Sequence, residues 1–196
     1  MDIKLLFAII STVIAIIAFI PYLKDMFSRK TKPHAYTWLI WSITQGTAAA
    51  AMWFGGGGIA ALGLTIGVVM VFGIFLLSLK YGTRNIKKSD TIVLILAICA
   101  IFIWWQLHQP LISVILVSLI DFSGYFPSFR KSFQEPWSET LTSWILFSVS
   151  DIFIVLALKE YNFLTLTYIT TIASANIVLF LICLFRRKYV KKPNLK

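Results

Sequence analysis

Charge is scarce in this sequence: 13% of its 196 residues are charged and eight are acidic, against 59% hydrophobic, with a mean hydropathy of +0.84. That balance excludes a water-soluble globule of ordinary composition. Cysteine is nearly lacking. Cys99 and Cys183 each lie inside a long apolar run, where a free thiol behaves as a small hydrophobe, and the pair makes neither a disulfide framework nor a metal signature. Histidine is as rare: His34 and His108 belong to no H-E-x-x-H, and the chain has no G-x-S-x-G and no Cys–His pair at helical spacing. The residues therefore argue against an enzyme and imply no cofactor or metal. The last apolar run lacks an interior lysine, which excludes a retinal Schiff base. The first lacks an A-x-A-like cleavage site before Pro21, so it reads as a retained helix rather than a removed leader.

What is present is a series of apolar runs. At about 20 residues per crossing, the chain has room for about seven membrane helices and no separate soluble domain. Runs bounded by polar breaks predict helices over 3–22, 36–54, 58–80, 91–107, 110–128, 140–158 and 163–185. Seven crossings put 16 of the 18 basic residues on one face, including Lys24, Lys30, Lys32, Arg84, Arg130, Lys131, Arg186 and Lys192, and leave Lys4 and Lys159 for the other. The positive-inside rule then predicts a multi-pass cell (inner) membrane protein with its N-terminus outside and its C-terminus cytoplasmic. The net charge of +10 follows the same pattern. It suits the anionic headgroups of a lipid bilayer and argues against nucleic acid.

The connections Phe54–Gly58 and Leu107–Pro110 are short enough to force antiparallel neighbours, and the Gly55–Gly58 run, with no strand before it, reads as a turn rather than a phosphate cradle. Gly63 and Gly67 make a G-x-x-x-G pair that serves either packing within the bundle or a homo-oligomer.

An offset of 106 positions aligns the chain with itself. It pairs Pro21 with Pro127, Phe27 with Phe133, Trp38 with Trp144 and Ser42 with Ser148, and matches Thr44 to Ser150 and Gln45 to Asp151. The expected plan is all-α and 3+1+3: two three-helix repeats joined by a linker helix. Because three is odd, the fourth helix is what makes the repeats parallel. The corresponding segments are 1–80, 81–109 for the linker loop and fourth helix, 110–187, and a basic tail at 188–196.

This plan resembles the SWEET and PQ-loop transporter superfamily, whose bacterial half-size members have one three-helix unit. Pro21, then Lys30 and Lys32, then Trp53 look like the family's proline, basic loop and closing tryptophan. Tyr22 and Ser128 replace the family's glutamine, and Leu158 stands near the position of the second closing tryptophan, so the family's substrate does not carry over. Asn176 looks like the asparagine that lines the family's sugar site, although the matching region of the third helix offers Val69 and Met70.

Counted along their helices, Gln45, Asp121, Asp151 and Asn176 come to about mid-depth. An aspartate there costs about 2.5–3.5 kcal/mol to insert, and such groups face a bundle interior and mark pathways or proton relays, or else hold helices together. Trp38, Ser42 and Gln45, spaced i, i+4 and i+7, share one helix face, as do Trp144, Ser148 and Asp151. Two parallel repeats would aim these faces at each other as the walls of a solute pocket; the alternative for the tryptophans is the interfacial aromatic belt. Asp151 and Asp121 are the proton-coupling candidates. Pro21 and Pro127 are either hinges or helix stops. The function expected is a transporter or facilitator of a small polar solute, with a nicotinamide-riboside-type facilitator as a variant. The alternative is a non-transporting receptor or assembly protein acting through its basic face.

Overall fold

The computed structural model describes residues 3–54, 59–106, 110–158, 161 and 163–193, and the side chains within them except those of 47–54, 59–64, 100, 104–105, 110–114 and 164–165. The expected Gly55–Gly58 turn, the Leu107–Gln109 connection and the side-chain environments of Trp53 and Gly63 lie outside the described residues.

Long apolar runs leave their backbone no polar side chains to bond, and a helix satisfies every internal N–H and C=O locally. Among the described residues seven α-helices form: α1 (Ile3–Phe27), α2 (Ala35–Phe54), α3 (Ile59–Tyr81), α4 (Lys88–Gln106), α5 (Pro110–Gln134), α6 (Leu141–Ala157) and α7 (Phe163–Arg186). The only other regular element among the described residues is a short 3-10 turn, Pro136–Ser138. Four of the expected spans agree to within a residue or so at each end.

The others differ for physical reasons. Pro21 and Pro127 sit inside α1 and α5, which run on to Phe27 and Gln134, so neither proline is a helix stop. Each removes one ladder donor but leaves the preceding turns intact. Helix α4 starts before its apolar run because Asp90 in its first turn accepts the Lys87 backbone N–H at 2.7 Å. Among the described residues two helices are long and apolar enough to cross a membrane, Ile3–Phe27 and Leu166–Arg186, and two shorter apolar ones cover Thr65–Tyr81 and Leu141–Ala157.

Helix packing follows one pattern twice. Helix α3 packs along both α1 and α2, whose backbones do not come together among the described residues although Tyr22 and Trp38 meet through their rings; α7 likewise packs along both α5 and α6, whose backbones do not come together among those residues either. Between these groups, α1 lies along α6 and α2 lies along α5. Helix α4 covers the second of these seams, against α5 and α2. Gly124 lets α5 approach α2: a Cβ there would come 3.1 Å from both Ile40 and the Trp41 indole nitrogen.

Candidate functional site

The two seams converge on an aromatic cluster. Tyr22 of α1 packs on Trp38 of α2 (ring centroids 5.3 Å) and Trp144 of α6 (6.3 Å), and Trp41 lies 5.2 Å from Trp38 and 6.3 Å from Trp144. Trp38 and Trp144 are 3% and 2% exposed, so both belong to the bundle interior and not to an outward-facing belt. The rings are packed together at this end of the bundle. A cleft of about 400 Å³ runs instead along the α5–α7 seam, lined by Ile115, Ser118, Phe122, Thr167 and Ser174 among others.

Beyond the rings lie both aspartates. Asp151 of α6 accepts a 2.7 Å hydrogen bond from the Asn176 amide of α7, and the Asn176 carbonyl accepts one of 2.7 Å from the Tyr125 hydroxyl of α5. Asp121 of α5 accepts from the Thr44 hydroxyl of α2 and, at 3.4 Å, from the Tyr168 hydroxyl of α7. The Trp41 indole N–H donates to the Asp121 carbonyl oxygen at 3.2 Å, and its ring packs at a tilt against Tyr125, centroids 4.5 Å apart. The Tyr125 hydroxyl is within electrostatic reach of both carboxyl groups. Four helices thus bring two buried acids, an amide and two phenols to one place.

The residues of the two expected faces have different neighbours along their length. Trp144 packs its ring near Tyr22 of α1 and Trp41 of α2, Asp151 bonds Asn176 of α7, and Gln45 turns toward α3, where its Oε1 lies 4.0 Å from the site of a Gly67 Cβ. The stripes that look across the seams are one residue earlier. Thr37, Trp41 and Thr44 face α5, and Phe147 and Ser150 face α1. Asn176 is thus brought to Asp151, and no hydrogen bond joins Gln45 to that carboxyl among the described residues. Ser42 and Ser148 spend their hydroxyl donors on the carbonyls of Trp38 and Trp144, at 2.6 and 2.9 Å.

The basic end is held by ion pairs. Lys131, fully buried, pairs with Glu139 and donates to the Lys32 carbonyl at 2.7 Å; Glu139 also accepts the Trp144 indole N–H at 2.9 Å. Arg130 binds Asp90 through two nitrogens and also donates to Asn85. His34, fully buried, meets the same Asp90 carboxylate at 3.3 Å. Burial alone would raise the Asp90 carboxyl, but the Arg130 guanidinium, the Lys87 amide and the neighbouring imidazole hold it below its ordinary value. Burial, and behind it the charge of Lys131, lowers the His34 imidazole from 6.5 to about 4, with Asp90 pulling the other way and Arg130 adding slightly.

Sequence reasoning missed Thr44, Tyr125, Tyr168 and the Lys131–Glu139 pair. A signal existed for Tyr125, which stands one turn after Asp121, and for Tyr168, two turns before Asn176 on the same side of α7. Compared with known proteins, the chain matches no family model, no curated protein and no solved structure.

Proposed function

We propose that the chain is a seven-span membrane protein on the 3+1+3 plan, resembling the SWEET and PQ-loop superfamily, and that it carries a small polar solute by alternating access. The observation that bears most weight is the pair of buried aspartates held by side chains from α2, α5, α6 and α7. Structural glue between helices needs no ionisable group at the meeting point of four of them, and ionisable groups at membrane depth mark solute pathways and proton relays.

Three further features support the reading. The reciprocal contacts of α1 with α6 and α2 with α5 are what a two-fold axis between two like units produces. The outward faces of α1 and α4 carry Ile9, Val13, Ile16, Ile20, Ile92, Leu96 and Phe102, all exposed, which suits lipid better than water. Helix α1, at 25 residues and about 1.5 Å per residue, exceeds a ~30 Å hydrocarbon core.

On this reading the basic end is cytoplasmic, and the Lys131–Glu139–Trp144 contacts close the path there. Opening requires them to part while the tryptophans separate, with Pro21 and Pro127 near the flexing turns. Asp151 is the first candidate for proton coupling, since its equivalent at the offset of 106 is the non-titrating Gln45. Asn176 keeps hydrogen-bonding capacity towards an amide at that position, so Asp151→Asn should abolish accumulation driven by a pH gradient while leaving solute exchange partly intact. The test is uptake into proteoliposomes of a panel of neutral sugars, amino acids and nicotinamide riboside, with and without a pH gradient. Uptake indifferent to the gradient in wild type, Asp151→Asn and Asp121→Asn leaves a passive facilitator. No uptake of any member favours a receptor or assembly protein.

A further inference from the structure

At the basic end, the outer side of the α5–α7 seam carries a second cleft, of about 290 Å³. It is lined by Phe133, Val178, Leu181, Ile182, Phe185 and Arg186. Five of these six are apolar, and Val178, Leu181, Ile182 and Phe185 recur at i, i+3, i+4 and i+7 along α7, a run of about 10 Å. The sixth, Arg186, stands at the end of that run. Its guanidinium lies 4.1 Å over the Phe133 ring and its Nε donates to the Phe133 carbonyl at 2.9 Å, while its terminal nitrogens make no hydrogen bond among the described residues. The Lys188 ammonium is 5.5 Å over Phe185. Neither cation has an acidic partner among the described residues, in contrast to Arg130 and Lys131.

The neighbouring Arg187 makes the difference plain. It turns inward and donates to the carbonyls of Pro136 and Glu139, at 3.1 and 2.6 Å. Two adjacent arginines thus divide, one closing the bundle and one left facing outward at the rim of an apolar groove. Cations without counter-ions above a greasy furrow match a molecule with a negative head and a hydrocarbon tail.

We infer that this groove holds one anionic phospholipid, with its phosphate at Arg186 and Lys188 and an acyl chain along Val178, Leu181 and Phe185. The inference rests on the membrane reading above. Membrane residence is therefore checked first, by fractionation: a chain found in the soluble fraction refutes that reading, and with it the lipid. For a membrane-resident chain, the test is native mass spectrometry of delipidated, detergent-purified protein titrated with dioleoyl phosphatidylglycerol or dioleoyl phosphatidylcholine. Wild type should retain one phosphatidylglycerol in preference to phosphatidylcholine. The double variant Arg186→Gln/Lys188→Gln should weaken that binding roughly tenfold to thirtyfold, at the strength expected of two headgroup cations. Lys87→Gln/Lys88→Gln makes the same charge change on exposed residues elsewhere at the basic end and should leave it unchanged. Equal binding of both lipids, or equal loss in the two double variants, would overturn the site and leave only a general attraction to negative charge.

Discussion

The seams α1–α6 and α2–α5 are built from equivalent positions, 106 residues apart, yet they are held by different chemistry. The aromatic step is shared: Phe19 meets Phe147 at 5.1 Å in one, and Tyr125 meets Trp41 at 4.5 Å in the other. Thr44 and Ser150 also correspond, but Ser150 bonds Ser11 hydroxyl to hydroxyl at 2.8 Å, whereas Thr44 bonds the carboxyl of Asp121. Thr37 and Ser128 share a 2.9 Å hydrogen bond, while at the equivalent places Ser143 and Tyr22 are buried and unpartnered among the described residues. At the basic end Lys131 forms a buried ion pair, and its equivalent, Asp25, accepts a single hydrogen bond from Thr140 at 3.0 Å. At mid-depth one seam is a neutral, serine-latched contact. At the same depth the other holds the Asp121 carboxyl, a group that can exchange a proton.

The largest expected effect breaks the contrast at the basic end. Lys131→Met leaves Glu139 buried without its cation and should destabilise by about 3–5 kcal/mol, whereas Asp25→Asn should cost about 1 kcal/mol, as a single partly buried hydrogen bond does. Thermal unfolding of the two variants in detergent checks the ratio.

Next is acid. In the unfolded chain His34 takes its proton near 6.5, and in the folded chain only near 4, so between those values the unfolded state binds more protons. The stabilisation is complete above pH 6.5 and is lost as pH falls toward 4, on the order of 3 kcal/mol in all. The depressed Asp90 carboxyl adds a loss at still lower pH. His34→Gln should flatten the pH 6.5 to 4 limb of the unfolding midpoint; an unchanged slope would mean that another group titrates there. A smaller effect sharpens the comparison at mid-seam. Thr44→Val, which strips a donor from a carboxyl, should cost about 1–3 kcal/mol, and Ser150→Ala about 0.5–1.5 kcal/mol. Equal losses would mean that the two seams are energetically alike.

The sequence made the helix centres and both aspartates legible, because apolar runs and a lone acid inside one are strong signals. It did not reveal that α1 and α5 continue through Pro21 and Pro127, since a proline followed by charged residues reads equally well as a stop. Which of two neighbouring faces looks across a seam was not legible either. Spacings of i, i+4 and i+7 suit Trp38, Ser42 and Gln45 as well as Thr37, Trp41 and Thr44, about 100° round the helix, and only the positions of α3 and α5 decide between them. The Lys131–Glu139 pair was illegible because its eight-residue separation spans a helix end and the Pro136 turn, a spacing with no periodic signature.

The central claim, that the space between α2 and α6 opens in turn to each side of a membrane, is tested most directly without knowing the solute. Ser42→Cys and Ser148→Cys, each the sole cysteine in a Cys99→Ala/Cys183→Ala chain reconstituted in vesicles, are treated with a charged, membrane-impermeant maleimide from one side and then from the other. Alternating access predicts that each cysteine is modified from both sides, more slowly than in denatured protein. Protection of both cysteines from both sides, in vesicles whose protein is fully labelled after denaturation, would contradict it and describe a bundle that stays shut.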